Sequence, residues 1–310
     1  MGLFTATIDG WTSWGRVFQS IEAFEPLIRH ILSQHALPIA EIEHCTPGTN
    51  AVFKVGDLVV KIFAPKESGF ETESDYQTEL FGIARANRLG VSAPQLLASG
   101  RLEDKYEFPY LVMEYISGEF FDRRNGGMTD GQKREFAQQL RTITDRLNTP
   151  CERFNGHDVV KRALACKRWC KFPASFQAER HEYLRNYKLT DPVYVHGDPT
   201  SDNVLINARG QLYIIDFADA VLAPVEYELA SIICQVFSFE GPYLDAYFGE
   251  YGAARVAEQC FVGLLLHEFG AEIIWYSLGE VAEMANLAVL KEKLHRALAG
   301  NRGFAASHRC

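Results

Sequence analysis

The sequence predicts an α+β chain in two lobes, a small sheet-rich one over residues 1–116 and a larger, mainly helical one over 117–310. Three observations predict it. Strand-like runs cluster before residue 117, around one long helical pattern. A tight connection, Ser117-Gly118, closes the last of those runs. Beyond it helical spacing dominates, over 129–147, 159–172 and nearly all of 226–298, with short strands only around 193–196 and 205–216. At roughly 100–200 residues per domain, 310 residues suit two lobes, each able to bury a core.

Residues 18–35 carry Ile21, Phe24, Leu27, Ile28, Ile31 and Leu32 at helical spacing and stop before Pro38, so an amphipathic helix is expected. Residues 51–55 and 58–63 read as strands joined at Gly56-Asp57, a hairpin signal. Residues 72–89 are helical in pattern, and Gly90 follows where a helix favours glycine. Two further strands are predicted, at 95–99 and 110–116.

With 47% hydrophobic and 23% charged residues, the composition excludes disordered, collagen-like and disulfide-rich classes. A net charge of −9 argues against a nucleic-acid-binding face. No apolar run approaches the roughly 18 residues of a membrane span. The most apolar, 261–266, is cut off by His267 and Glu268. The opening Met-Gly-Leu-Phe-Thr-Ala lacks a signal peptide's basic start and apolar core, and Ala6 breaks the myristoylation pattern. Cys45, Cys151, Cys166, Cys170, Cys234, Cys260 and Cys310 form an odd set without a C-x-x-C pair. Reduced thiols and a cytoplasmic location are expected, with no protein partner implied. Cys166 and Cys170, four apart on one predicted helix, have no further ligands at metal-binding spacing.

The chemistry-bearing segment is His196-Gly197-Asp198-Pro199-Thr200-Ser201-Asp202-Asn203, followed by Ile214-Ile215-Asp216-Phe217. Asp198 and Asn203 lie five apart after an apolar strand, and Asp216 ends another strand 18 residues after Asp198. One carboxylate can orient a hydroxyl nucleophile. An amide oxygen and a second carboxylate are hard ligands suited to Mg²⁺ on nucleotide phosphates. Either piece alone also reads as a capped polar turn. Both together, in this order, predict phosphotransfer.

These residues resemble the aminoglycoside phosphotransferase family, and through it the bilobal protein-kinase-like fold, with H-G-D-x-x-x-x-N where protein kinases carry H-R-D-x-x-x-x-N. The resemblance implies Asp198 as catalytic base and Asn203 and Asp216 as metal ligands. Gly197 stands where protein kinases have Arg, which argues against control by activation-loop phosphorylation. Only 11 residues separate Asp216 from Glu228, too few for a peptide-docking loop, so the implied acceptor is a small molecule. A phosphate-gripping lysine is implied at Lys61 and its glutamate partner at Glu79, 18 residues on. An edge-strand lysine facing water is the alternative for Lys61, and Glu71 or Glu73 for Glu79.

The turn from Pro47 through Gly48, Thr49 and Asn50 stands where a phosphate-covering loop belongs, and a plain turn explains it equally well. Glu114 and Ile116 fall at the family's hinge, where backbone groups would meet the adenine edge. The landmarks span 43–230. Where the family carries Asp-Leu-Ala this chain has Glu228-Leu229-Ala230, and Glu228 can still accept hydrogen bonds from the catalytic-loop backbone.

From Phe217 to Glu280 there are ten acidic residues and one basic, Arg255. Such an excess would attract a cation. Glu268, Glu272 and Trp275 are spaced to share one side of a predicted helix, where they would suit an aminated sugar; a solvated acidic face is the alternative. The expected activity is transfer of the γ-phosphoryl group of ATP or GTP, with Mg²⁺, to a hydroxyl of a small cation. An aminoglycoside-type antibiotic leads. Metabolite kinases of the choline, homoserine, methylthioribose or fructosamine type, or a silent nucleotide-binding scaffold, are the alternatives.

Overall fold

The computed structural model describes residues 2–46, 48–249 and 252–300. Pro47 of the predicted phosphate loop, Glu250 of the acidic segment and Cys310 lie outside the described residues. The chain divides into two compact units. One runs through Ser117 and takes back Ile215–Ala218; the other comprises Gly118–Ile214 and the chain from Asp219 onward.

The first unit opens with α1 (Trp11–Val17) and α2 (Ile21–Gln34). α1 is not expected from the sequence. α2 starts later than predicted because Ser20 has extended backbone and its hydroxyl accepts the Ala23 N–H at 3.2 Å. The predicted stripe of Phe24, Leu27, Ile28, Ile31 and Leu32 is buried, with Phe24 packed on Phe4 at 5.3 Å between ring centroids.

Five strands follow with one helix among them: β1 (Ile42–His44), β2 (Ala51–Val55), β3 (Leu58–Ile62), α3 (Thr72–Arg88), β4 (Leu96–Glu103) and β5 (Glu107–Glu114). They form an antiparallel sheet in the order β1-β2-β3-β5-β4. β3 is therefore central, with Lys61 opposite Val52 on one side and Leu111 on the other. The edge-strand alternative for Lys61 is excluded.

The second unit contains β6 (Gly118–Phe120), α4 (Phe121–Asn125), α5 (Asp130–Leu147), α6 (Val159–Ala165), α7 (Ala174–Asn186), β7 (Val193–Val195), β8 (Val204–Asn207), β9 (Leu212–Ile214) and β10 (Val221–Ala223). Then come α8 (Glu226–Ser231), α9 (Gly241–Phe248), α10 (Ala253–Leu266), α11 (Gly270–Leu278) and α12 (Leu287–Ala299). Two small antiparallel sheets, β7 with β10 and β6-β8-β9, present the motif loops among these helices. Among the described residues no helix is long and apolar enough to cross a membrane.

Two predicted helices are broken. The one over 159–172 ends at Ala165, because Cys166 turns to extended backbone before a short 3₁₀ turn at Lys167–Lys171. Cys166 and Cys170 thus do not share a helix, and among the described residues no group of three or more His, Cys, Asp or Glu could hold a metal ion. The second break separates α10 from α11. Ahead of that break α10 packs closely on α8: a Cβ on Gly263 would lie 1.8 Å from the Glu226 carbonyl oxygen, so the two helices touch backbone to backbone.

Candidate active site

In the first unit, Lys61 is 6% exposed on the central strand, and its ammonium reaches two carboxylates. Nζ lies 2.5 Å from Glu79 Oε2 and 3.1 Å from Asp216 Oδ1. An unpaired lysine among Val60, Ile62 and Phe63 would be costly to bury, and this pairing offsets the cost. Burial alone would lower the Lys61 pKa, but Asp216 and Glu79 outweigh it and hold the ammonium above its ordinary range. Glu79, on α3 and 2% exposed, is pushed up to about 7 by burial, against the pull of Lys61. Neither Glu71 nor Glu73 takes this place; Glu73 pairs with Arg101 instead. Asp216 has a left-handed backbone (φ 62°), strained for a non-glycine residue, and its side chain is 46% exposed.

The predicted phosphate-covering turn is held from α1. Trp14, wholly buried, donates its indole N–H to the Thr49 carbonyl at 3.0 Å. Gly48 and Thr49 are exposed. Asn50 is buried, and its Oδ1 accepts the Ala64 N–H at 3.4 Å, so its side chain serves the end of β3 rather than an open loop. At the predicted hinge, the Glu114 N–H donates to the Gln95 carbonyl at 2.9 Å and is not free for a base edge. Ile116 is buried just beyond β5.

In the second unit, β7 delivers His196-Gly197-Asp198. The His196 N–H donates to Glu228 Oε2 at 2.5 Å, the Gly197 N–H bonds the same carboxylate, and Asn148 Nδ2 donates to its Oε1 at 3.1 Å. Glu228 thus accepts from the loop backbone as its position in the sequence suggests, one methylene longer than Asp notwithstanding. Burial pushes its pKa up to about 7 against those hydrogen bonds. Gly197 has φ 87°, and a Cβ there would lie 2.0 Å from the Asp219 carbonyl oxygen, so only glycine fits between β7 and Asp198.

Asn203 closes the loop. Its amide nitrogen donates to the Asp198 carbonyl at 2.9 Å and to Asp198 Oδ2 at 2.8 Å. That orients a half-buried carboxylate and leaves Asn203 Oδ1 as the atom available to a cation. Asn203 immediately precedes β8, whose Val204 is paired with Ile214 of β9, two residues before Asp216. Each of Asn203 Oδ1 and the partly open Asp216 carboxylate is a hard oxygen donor of the type that Mg²⁺ accepts.

The predicted substrate residues are not on one helix. Glu268 lies in the break between α10 and α11, and only Glu272 and Trp275 are on α11. Within the break, His267 Nδ1 accepts the Phe269 N–H at 3.0 Å, just ahead of α11. Glu268 is ion-paired with Arg162, and Glu272 with Arg168 at 2.9 Å. Trp275 is 42% exposed, with Lys171 Nζ 5.7 Å from its ring centre. Elsewhere in the acidic segment Glu240 pairs with Lys133, Asp245 with Arg134 and Glu258 with Lys291. The excess read from this segment is in large part neutralised by Lys and Arg from outside it.

Sequence reasoning missed His267, Asn148 and the Trp14–Thr49 bond. The one signal for His267 was a histidine ending an apolar helical run, followed by Glu-Phe-Gly.

The sequence pattern of the phosphotransferase enzyme family matches residues 41–261. No curated protein matches the chain. Among solved structures, the chain is similar to the GDP and kanamycin complex of APH(2″)-IIia, at 18% identity, with 89% of this chain and 99% of that one covered and a TM-score of 0.56. It is similar to APH(2″)-IIa in a ternary complex with streptomycin and ATP, at 15% identity, coverage of 88% and 97% and a TM-score of 0.54. It is also similar to the choline kinase LicA from Streptococcus pneumoniae, at 15% identity, coverage of 88% and 98% and a TM-score of 0.53. The fold is the kinase-like α+β fold of these proteins, and the chain belongs to the phosphotransferase enzyme family as a small-molecule kinase.

Proposed function

We propose that the protein transfers the γ-phosphoryl group of ATP or GTP to a hydroxyl of a small molecule, with Asp198 as the base. The observation that carries this reading is the hold of Asn203 on Asp198: carbonyl and Oδ2 are both fixed by one amide, on a loop further tied through Glu228. A carboxylate held this way is aimed before substrate arrives.

In the transfer, the acceptor oxygen bonds the γ-phosphorus as the bond to the β–γ bridging oxygen breaks. The hydroxyl proton passes to the Asp198 carboxylate and the nucleoside diphosphate leaves. Lys61, kept charged and fixed by Glu79, orients the phosphates. Asn203 Oδ1 and Asp216 are the residues proposed to hold Mg²⁺, which when bound would neutralise phosphate charge. Gly48 and Thr49 are proposed to cover the phosphates, and the chain at Glu114 and Ile116 to line the purine.

An aminoglycoside-type acceptor is the leading class, because solved neighbours of the same fold bind kanamycin or streptomycin. A metabolite such as choline is the second reading. It is favoured by the Arg162–Glu268 and Arg168–Glu272 pairs, which leave less free negative charge for a polycation. The test is Mg²⁺-dependent release of ADP or GDP with kanamycin, streptomycin, choline and neutral hydroxylated controls. Turnover with an aminoglycoside or with choline assigns the class. Nucleotide binding without turnover on any acceptor would instead favour a silent scaffold.

A further inference from the structure

We propose that His267 is a positioning residue for the phosphotransfer loop, clamping the carbonyl of Gly197 from the break between α10 and α11. The proposal rests on the reading of Asp198 as the base, which is the residue next to the clamped carbonyl.

His267 is 1% exposed, and its ring makes a defined set of contacts. Nδ1 accepts the Phe269 N–H at 3.0 Å, so that nitrogen carries no proton. The proton is therefore on Nε2, which donates to the Gly197 carbonyl at 2.9 Å, with Ser231 Oγ 3.2 Å from the same nitrogen. The ring stacks on Tyr227, with centroids 4.3 Å apart and planes at 25°. One histidine thus ties together three things: the motif loop, the contact between α8 and α10, and the start of α11. Burial holds the ring neutral, with its pKa lowered to about 4, so the tautomer that donates to Gly197 persists through the neutral range.

The loop ahead of Asp198 is consequently fixed on both sides of one glycine. Glu228 takes the N–H groups of His196 and Gly197, and His267 takes the carbonyl of Gly197. That carbonyl belongs to the peptide bond whose N–H is Asp198's own, so turning it turns Asp198. Without a donor the buried carbonyl is left unsatisfied, and the peptide has reason to rotate.

Two conservative variants separate the two ends of the ring. His267→Gln places an amide N–H near the Nε2 position and keeps the clamp, but gives up the Nδ1 acceptor of the Phe269 N–H ahead of α11. His267→Asn keeps an acceptor near Nδ1 and gives up the clamp. Full-length variants would be compared with His267→Ala by hydrogen exchange of the 193–205 peptide, by thermal melting, and by kinetics with ATP, Mg²⁺ and whichever of kanamycin or choline the wild type phosphorylates.

The expected result is a split. His267→Asn and His267→Ala lose about 10- to 100-fold in kcat with KM for ATP within about 2-fold of wild type, and their loop exchanges faster. His267→Gln stays within about 5-fold of wild-type kcat while its melting temperature falls more than that of His267→Asn. Equal kcat losses in the Gln and Asn variants, or loop exchange unchanged in His267→Ala, would overturn the proposal. If the wild type turns over no acceptor of the panel, the reading of Asp198 as the base fails by itself, and loop exchange still decides whether His267 holds the loop.

Discussion

Lys61 and Glu79 form an ion pair sealed inside the first unit, Nζ to Oε2 at 2.5 Å, with side chains 8% and 3% exposed. The two members are not equivalent. Glu79 has a pKa already pushed up to about 7, so it takes a proton readily if its partner is removed; Lys61, whose ammonium is held above its ordinary range by Asp216 and Glu79, is left by the loss of Glu79 with only the half-exposed Asp216 against the cost of its burial. Glu79→Ala should therefore cost about 3–5 kcal/mol of stability, whereas Lys61→Met should cost less. Lys61→Met should nonetheless lower kcat/KM for ATP by about 100- to 1000-fold, because a fixed phosphate-directed charge is gone. Urea melts and steady-state kinetics on both variants check the contrast.

Gly197→Ala places a methyl group on the Asp219 carbonyl, at an ideal separation of 2.0 Å, in a left-handed backbone conformation. Both effects act one residue before Asp198. The variant should lose at least about 10-fold in kcat even where it folds, and about 1–3 kcal/mol of stability. Comparing kcat with the thermal melt separates a moved loop from a lost fold.

The buried ring of His267 gives stability a pH dependence of known sign. Its folded pKa, about 4, lies below the ordinary value of 6.5, so between those values the unfolded chain binds the proton and the folded chain does not. Stability contributed by the neutral ring is full above pH 6.5 and is lost as pH falls toward 4, by about 3 kcal/mol in all. Glu228, on the neighbouring α8, acts with the opposite sign, because its raised pKa favours the folded chain at lower pH. Subtracting the curve of His267→Gln from the wild-type curve removes the Glu228 contribution. The difference should fall steadily from pH 6.5 to pH 4.

Freeing the paired acids should change acceptor binding more than removing them. Glu268→Gln and Glu272→Gln delete charges already engaged by Arg162 and Arg168, so KM for kanamycin or choline should move less than about 2-fold. The double variant Arg162→Ala and Arg168→Ala exposes two carboxylates, and KM for the same cation should fall about 2- to 5-fold. The measurement is acceptor KM at low ionic strength, with the effect shrinking in added salt.

The parts legible in the sequence are those where a strand's apolar run stops at a polar residue. His196-Gly197-Asp198 after β7 and Asp216 after β9 follow that rule, and Lys61 stands out as a single charge inside the apolar run of β3, because short buried strands read as near-continuous apolar runs in which one polar residue is conspicuous. The five-stranded sheet's β2–β3 hairpin was legible from Gly56-Asp57 for the same local reason.

What was not legible depended on single side chains acting across the fold. α7 buries only Phe176, Arg180 and Leu184, a narrow stripe with a guanidinium at its centre, so its apolar periodicity is hidden. Arg180 is accommodated there by the Ala163 and Leu265 carbonyls and by stacking on Trp169. The α10–α11 break falls at His267, whose extended backbone ends α10 with no glycine or proline to announce it, and with it went the expectation that Glu268, Glu272 and Trp275 share a helix. The ion pairs that neutralise the acidic segment come from α5, α6, the 3₁₀ turn at Lys167–Lys171 and α12. Summing charge along the chain cannot see them.

The most direct test of the central claim is Asp198→Asn, measured twice: nucleotide affinity by titration, and phosphoryl transfer in a single turnover with an accepted substrate. Asn keeps the shape of the side chain but cannot take the hydroxyl proton. The expected result is ATP affinity within about 2-fold of wild type and a transfer rate lower by about 100- to 10,000-fold. Transfer at near the wild-type rate would contradict the assignment of Asp198 as the base.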